Sequence, residues 1–165
     1  MPIAAAQTAS AKRLPRLRQQ RQSVNPAMRF ERDKTLRFQH CDPAGIIFYP
    51  QYFVLFHELM EEWFTEALNI PYGEYIRVQR LGVPAVKVEA EFLTQAFLGD
   101  TLRFGLICEL LGASSLTLAV DVHSGDACRA RGKITVVQMS LESRRAVVFN
   151  SALRGRIERF LPASS

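Results

Sequence analysis

The first 27 residues of this 165-residue chain contain no acidic side chain, although they hold Lys12, Arg13, Arg16, Arg18 and Arg21. Taking those five from 21 basic residues leaves 16 against 16 acidic ones, so the body from Met28 onward is formally neutral. The net charge of +5 belongs to the tail and gives no sign of a nucleic-acid-binding face on the domain. Cysteine is scarce as well. Cys41, Cys108 and Cys128 are odd in number, widely spaced and without a CxxC pair. That argues against a disulfide framework and makes a reducing compartment, the cytoplasm, the expectation. Histidine is limited to His40, His57 and His123, with no HExxH or HxH spacing, so no metal site is expected. No apolar run reaches the length of a membrane span or a signal-peptide core, and the body is expected to be soluble.

The acid-free segment, residues 1–27, is rich in Ala, Gln, Ser and Arg and poor in bulky apolar groups that could pack. It reads as a disordered basic tail. An organellar transit peptide fits it, and so does a start codon assigned too early, with Met28 as the true start; the second reading is favoured. Residues 28–165, in a chain that is 48% hydrophobic, suffice for one domain with a real core and are too few for two.

Within the body, "KTLRFQ" (34–39) alternates apolar and polar, which predicts a short strand with Leu36 and Phe38 on one face. An Asp-Pro-Ala-Gly turn ends it. From Pro50 the period changes: Phe53, Phe56, Met60, Trp63, Phe64 and Ala67 recur at threes and fours, with Glu58, Glu61, Glu62 and Glu66 between them. This predicts a long amphipathic helix opened by Pro50, lying deep against a sheet. "IPYGEYIRVQRLG" reads as a loop and a second short helix ending near Gly82. Four β-rich runs follow at 84–97, 101–111, 115–123 and 127–139, joined by Gly-containing turns that predict antiparallel hairpins. "VKVEAEF" alternates cleanly, as in a sheet with one face on the helix and the other wetter. "SALRGRIERF" could form a terminal helix stopped by Pro162. The order predicts an α+β fold in which the sheet wraps one central helix.

The stretch "HCDPAGIIFYPQYF" (40–53) places a lone carboxylate, Asp42, in the turn just before that helix. Asp and Gly favour turns for ordinary backbone reasons, so Asp42 can be read as a turn former. It can equally be a catalytic carboxylate aimed at something held by the helix start.

"DPAGIIFYPQYF" after a short strand, followed by an aromatic-rich helix and four long strands, resembles the hotdog-fold thioesterases. The branch it resembles most is the aspartate-dependent 4-hydroxybenzoyl-CoA thioesterase family. The likeness covers roughly residues 32–140, and the segment from Asp42 to Tyr52 is its specific part. It implies a hotdog fold: an antiparallel five-stranded sheet around a long central helix, spanning 28–165. It also implies hydrolysis of a small aromatic or short-chain acyl-CoA. Related short-chain acyl-CoA thioesterases of the Tol-Pal-associated group carry His where this chain has Tyr49, which favours the aryl-CoA branch. By resemblance, Asp42 is the catalytic carboxylate, and the backbone N–H of Tyr49 polarises the thioester carbonyl. General chemistry makes both plausible. A thioester carbonyl needs an anionic nucleophile or base nearby, and N–H groups at a helix N-terminus suit a developing oxyanion. Pro43 and Gly45 allow the sharp turn, and Gly45 borders the substrate. Whether Asp42 attacks directly or activates water is open.

The remaining candidates rest on weaker signals. Cys41 reads as a small packing residue rather than a nucleophile, since no His partner is spaced for it. His57 falls on or beside the buried stripe and is expected to pack or to line the acyl pocket. Glu58, Glu61 and Glu62 are reserve carboxylates, because another hotdog branch carries its acid on the long helix. Coenzyme A is part of the substrate and no separate cofactor is expected. Its phosphates should meet basic groups, for which Arg129, Arg131 and Lys133 on the last strand, with Arg144 and Arg145 beyond, are the candidates. The basic cluster that the family carries between its middle strands is replaced here by "LGASS". Relatives pair their sheets and build sites between subunits, so a homodimer or homotetramer is expected. The main competing class is a non-catalytic acyl-CoA-binding hotdog module; a dehydratase is weaker, because no His follows Asp42 within a few residues.

Overall fold

The computed structural model describes residues 28–162. The expectation of a disordered tail at 1–27 lies outside the described residues. In chain order the elements are β1 (Phe30–Thr35), a single 3-10 turn (Phe38–His40), α1 (Pro50–Glu62), α2 (Tyr72–Arg77), β2 (Leu81–Gly82) and β3 (Ala85–Phe92). They continue as β4 (Thr101–Leu111), β5 (Ser115–Ser124), β6 (Ala127–Val137), β7 (Met139–Ser140) and α3 (Ser151–Glu158). Five of the strands form one antiparallel sheet in the order β1-β4-β5-β6-β3, and β2 pairs with β7 as a small separate ribbon. The sheet curves around α1, as the hotdog architecture requires.

Pro50 opens α1 at a position where its missing N–H costs nothing. Tyr52, Leu55, Phe56, Leu59, Met60, Trp63 and Phe64 are all buried, the three-and-four spacing of one helical face. Full burial of one such side chain contributes about 1.5–3 kcal/mol, and strands β4, β5 and β6 present the facing row: Leu102, Phe104, Leu106, Leu118, Val120, Ala130 and Val136. The helix comes closest to the sheet at Gly132. A Cβ there would lie 2.5 Å from the Phe56 ring, so a central strand position that would ordinarily favour a branched residue takes glycine.

After Glu62 the helix widens into a π turn at Trp63–Ala67, in which Leu68 N–H donates to Trp63 O at 3.0 Å. Arg156 donates to Leu68 O at 2.7 Å and Arg159 to Ala67 O at 3.2 Å, so two cations from the C-terminal helix satisfy carbonyls at the negative end of the long one. Asn150 caps α3 by accepting from Leu153 N–H at 2.8 Å.

The elements differ from expectation in four places. The first strand is Phe30–Thr35, not 34–39; Leu36 is buried beyond its end, while Phe38 is 81% exposed in the 3-10 turn. The buried stripe of α1 is rotated towards Tyr52, Leu55 and Leu59, because the helix is enclosed by the curved sheet and not laid on a flat one. The second helix ends at Arg77, and Gly82 belongs to β2. Strand β3 stops at Phe92 and is exposed on both faces, with Val86 at 62% and Val88 at 44%, because it is the uncovered edge of the sheet.

Candidate active site

The turn after the first strand is built by Asp42 itself. Asp42 Oδ1 accepts from Ala44 N–H at 2.9 Å and Ile46 N–H at 3.2 Å, while Gly45 N–H donates to Asp42 O at 2.9 Å. The chain can close this way because Gly45 takes φ +74°, left-handed backbone that glycine adopts without penalty. Asp42 N–H donates to Ile46 O and Cys41 pairs with Ile47, so the turn is the tip of a tiny hairpin. Residues 96–98 clamp it from the far side: Ile47 N–H donates to Ala96 O at 3.0 Å and Leu98 N–H to Gly45 O at 2.9 Å. The turn-forming reading of Asp42 is therefore correct as far as Oδ1 goes. Oδ2 takes no hydrogen bond among the described residues.

The other arm of the hairpin runs into the helix. Phe48 N–H donates to His40 O at 2.9 Å, and Tyr49 then turns helical immediately before Pro50. Tyr49 N–H has no partner among the described residues, and Pro50 has no N–H to compete with it. A free donor sits at the positive end of α1, a place that favours negative charge.

Between these two arms and the end of β3 lies a cleft of about 250 Å³, lined by Ile46, Ile47, Tyr49, Tyr52, Phe92 and Thr94 among others. Asp42 does not itself line the cleft; its Oδ1 accepts from the N–H of Ile46, which does. Three of the cleft's lining residues, Tyr49, Tyr52 and Phe92, are aromatic. Phe92 packs at 5.3 Å centroid distance on Tyr52, 6.0 Å on Tyr49 and 6.3 Å edge-on to Phe53, so the edge strand docks on the first turn of the helix through one ring.

Cys41, beside Asp42, is a free thiol that burial pushes above its usual range, with the charges of Asp42 and Asp100 adding to the shift. A thiol held protonated is a poor nucleophile. His57 does not pack inside the chain as expected. It faces out from α1, 55% exposed, with Nε2 3.0 Å from Glu61. The rotation of the stripe explains this, since position 57 faces away from Tyr52, Phe56 and Leu59. The reserve carboxylates pair with basic groups, Glu58 and Glu62 with Lys34 at 3.2 and 2.7 Å and Glu61 with His57, although Glu62 Oε2 is buried without a partner among the described residues.

Of the basic residues expected at the phosphates, Arg129, Arg131 and Lys133 all lie outside the cleft lining, and Arg129 bonds residues of its wall. A bulge in β6, where His123 pairs with Cys128 and Val122 with Ala130, leaves Arg129 as the extra residue and redirects its side chain. Its guanidinium donates to Gln95 O at 2.8 Å and to Thr94 Oγ1 at 3.3 Å, bracing the cleft wall from behind. Arg131 and Lys133 lie on the outer face of the sheet, where Arg131 is flanked in register by Glu91 and Asp121, and Lys133 bonds Glu109 at 2.6 Å. The structure does not bring those two together with Asp42.

Sequence reasoning missed Tyr52, Phe92, Thr94 and Gln95. Tyr52 stood in the motif but off the assumed stripe, and the 92–95 segment reaches the cleft only through the fold. Among the described residues no three His, Cys, Asp or Glu side chains cluster as a metal site would need, and no helix is long and apolar enough to cross a membrane.

Comparison with known proteins agrees with the fold. A curated 1,4-dihydroxy-2-naphthoyl-CoA hydrolase from Nostoc punctiforme is 27% identical over 117 residues, which is 71% of this chain and 78% of the relative. The crystal structure of a 1,4-dihydroxy-2-naphthoyl-CoA thioesterase from Synechocystis superposes with a TM-score of 0.72 at 20% identity, covering 79% of this chain and 96% of that one. A gentisyl-coenzyme A thioesterase structure superposes equally well, with a TM-score of 0.72 at 23% identity over 78% of this chain and 99% of that one. The family model described as the thioesterase-like superfamily matches residues 36–157, from the buried Leu36 to the C-terminal helix, and the chain therefore belongs to that superfamily.

Proposed function

We propose that the protein hydrolyses an aromatic or short-chain acyl-CoA thioester to the free acid and coenzyme A, with Asp42 as the catalytic carboxylate and Tyr49 N–H as oxyanion donor. One observation supports the reading: Tyr49, whose N–H is unpartnered among the described residues, lines the cleft, and Asp42, whose Oδ2 is likewise unpartnered, bonds the N–H of Ile46 in the cleft wall. The thioester carbonyl oxygen accepts from Tyr49 N–H, so the charge that develops on it lies at the positive end of α1. Two routes use the same groups. In one, Asp42 Oδ2 attacks the carbonyl carbon, the C–S bond breaks, and coenzyme A leaves as a thiolate; water then hydrolyses the mixed anhydride. In the other, Asp42 takes a proton from water, whose oxygen adds to the carbonyl before the thiolate departs.

The aromatic acyl class is supported by the rings of Tyr49, Tyr52 and Phe92 and by the naphthoyl and gentisyl thioesters for which the relatives are named. Oligomerisation belongs to the same reading. Strand β3 is an unpaired edge with Val86, Val88, Phe92 and Leu93 between 44% and 62% exposed, a row suited to pairing with a second copy. The test is steady-state hydrolysis, followed with a thiol reagent, over a panel of benzoyl-, hydroxybenzoyl- and short alkyl-CoA substrates. Turnover on at least one aromatic thioester is expected. Binding without turnover across the panel would overturn the enzyme reading in favour of an acyl-CoA-binding module.

A further inference from the structure

The 3-10 turn that feeds the Asp42 hairpin is anchored by a polar side chain. Between the buried Leu36 and Ile47 no residue is buried except His40, at 9% exposure, while Arg37, Phe38 and Gln39 all face solvent. His40 Nδ1 accepts the Arg37 N–H at 3.0 Å, so the neutral imidazole carries its proton on Nε2, which lies 3.3 Å from the Gln39 amide. Arg37 is the extended residue at which the turn begins, and the imidazole reaches back to it as Glu or Gln does in a capping box. An apolar side chain of similar bulk could fill the same space, but it would leave that N–H without its acceptor.

His40 also stands where the two arms of the hairpin enter. Its carbonyl accepts from Phe48 N–H at 2.9 Å, Cys41 pairs with Ile47, and Asp42 N–H donates to Ile46 O. From that lowest rung Asp42 is two residues up one arm, and Tyr49 directly follows Phe48 on the other. The direction in which the chain leaves His40 therefore sets how the Asp42 carboxylate lies relative to the Tyr49 N–H. We infer that His40 is a positioning residue for hydrolysis: by accepting the Arg37 N–H its side chain fixes the turn, and through the turn it aligns those two groups. The inference rests on the thioesterase reading above and deepens it. Both ring nitrogens are engaged within the turn, so the imidazole transfers no proton itself.

The test compares His40→Leu, which keeps a buried side chain of similar bulk without an acceptor, with His40→Gln, which restores one at the same place. For each, kcat and KM are measured on the aromatic thioester that the wild type turns over, at a temperature below the variant's melting transition. A misplacement of about 1 Å can cost about 10²-fold, so His40→Leu should lower kcat by roughly 10- to 100-fold. KM should change little, since the loss falls on alignment in the transition state. His40→Gln should recover most of the lost kcat. A cap needed only for folding would instead lower Tm and leave the kcat of the folded enzyme intact. A His40→Leu protein that fails to fold, one that folds and keeps its kcat, or a His40→Gln protein as slow as His40→Leu overturns the inference and leaves the thioesterase reading standing. A wild type inactive on every thioester of the panel overturns that reading, and the inference with it.

Discussion

Replacing Asp42 with Asn separates what its side chain does for the turn from what it does for chemistry. The amide retains an oxygen that can accept from Ala44 N–H and Ile46 N–H, now 2.9 and 3.2 Å from Oδ1. What is lost is the charge assistance of those bonds, a difference of about 1 kcal/mol per bond and so about 2 kcal/mol at most for two. The turn is half-buried and solvent screens part of that, which leaves about 1 kcal/mol, or roughly 2–4 °C in Tm for a domain of this size. The free oxygen is a different matter. A general base contributes about 10²- to 10⁴-fold, equivalent to roughly 3–5 kcal/mol of barrier, and a nucleophile can contribute more. Asp42→Asn should therefore melt within a few degrees of wild type while kcat on a benzoyl-type thioester falls at least 10²-fold. Asp42→Ala also removes the acceptor for Ala44 and Ile46, so it should lose stability as well as turnover, and Asn is the cleaner probe. Cys41→Ser, one residue away, should change turnover little, since burial and two neighbouring acids keep that thiol protonated. Paired thermal melts and thiol-release assays decide the matter: near-normal turnover in Asp42→Asn, or its loss in Cys41→Ser, refutes the carboxylate mechanism.

Gly132→Ala places a methyl 2.5 Å from the Phe56 ring, an overpacking that should cost about 1–3 kcal/mol and appear as a lowered Tm; an unchanged melt would show that α1 is not seated tightly on β6. Burial lifts the Cys108 thiol to about 12, so the folded state binds a proton that the unfolded state releases from near pH 9 upward. The stabilisation is whole below pH 9 and is lost between there and pH 12 at up to about 1.4 kcal/mol per pH unit; Cys108→Ala should flatten that alkaline fall in Tm, and an equally steep profile would refute the assignment. The exposed β3 edge predicts at least a dimer by light scattering at micromolar concentration, and a fully active monomer would defeat it.

Local rules were enough to read much of this molecule from its residues. Pro50 and the change from period two to period three-and-four set the start of α1. Glycines in the connecting turns marked the hairpins of β4, β5 and β6, and Asp42-Pro-Ala-Gly45 closes through hydrogen bonds spanning five residues. Each of these features depends on interactions along a few consecutive residues, so the amino-acid order determines it by itself. The tertiary structure decided which faces meet. Leu36 and Phe38 look alike in sequence, yet one is buried and the other is 81% exposed, because the chain leaves the sheet after Thr35. The alternation of β3 promised a covered face, but its place at the end of the strand order leaves both faces open. His57, expected to pack or line the pocket, faces out and Tyr52, given no role, faces in, because a different sector of the helix is enclosed. Arg129 was one of three alternating basic residues until a bulge, defined only by pairing with β5, turned it under the 94–95 wall. Burial and the direction of a side chain depend on surfaces supplied by strands some 30 to 90 residues away in the chain, and no periodicity within one segment records them.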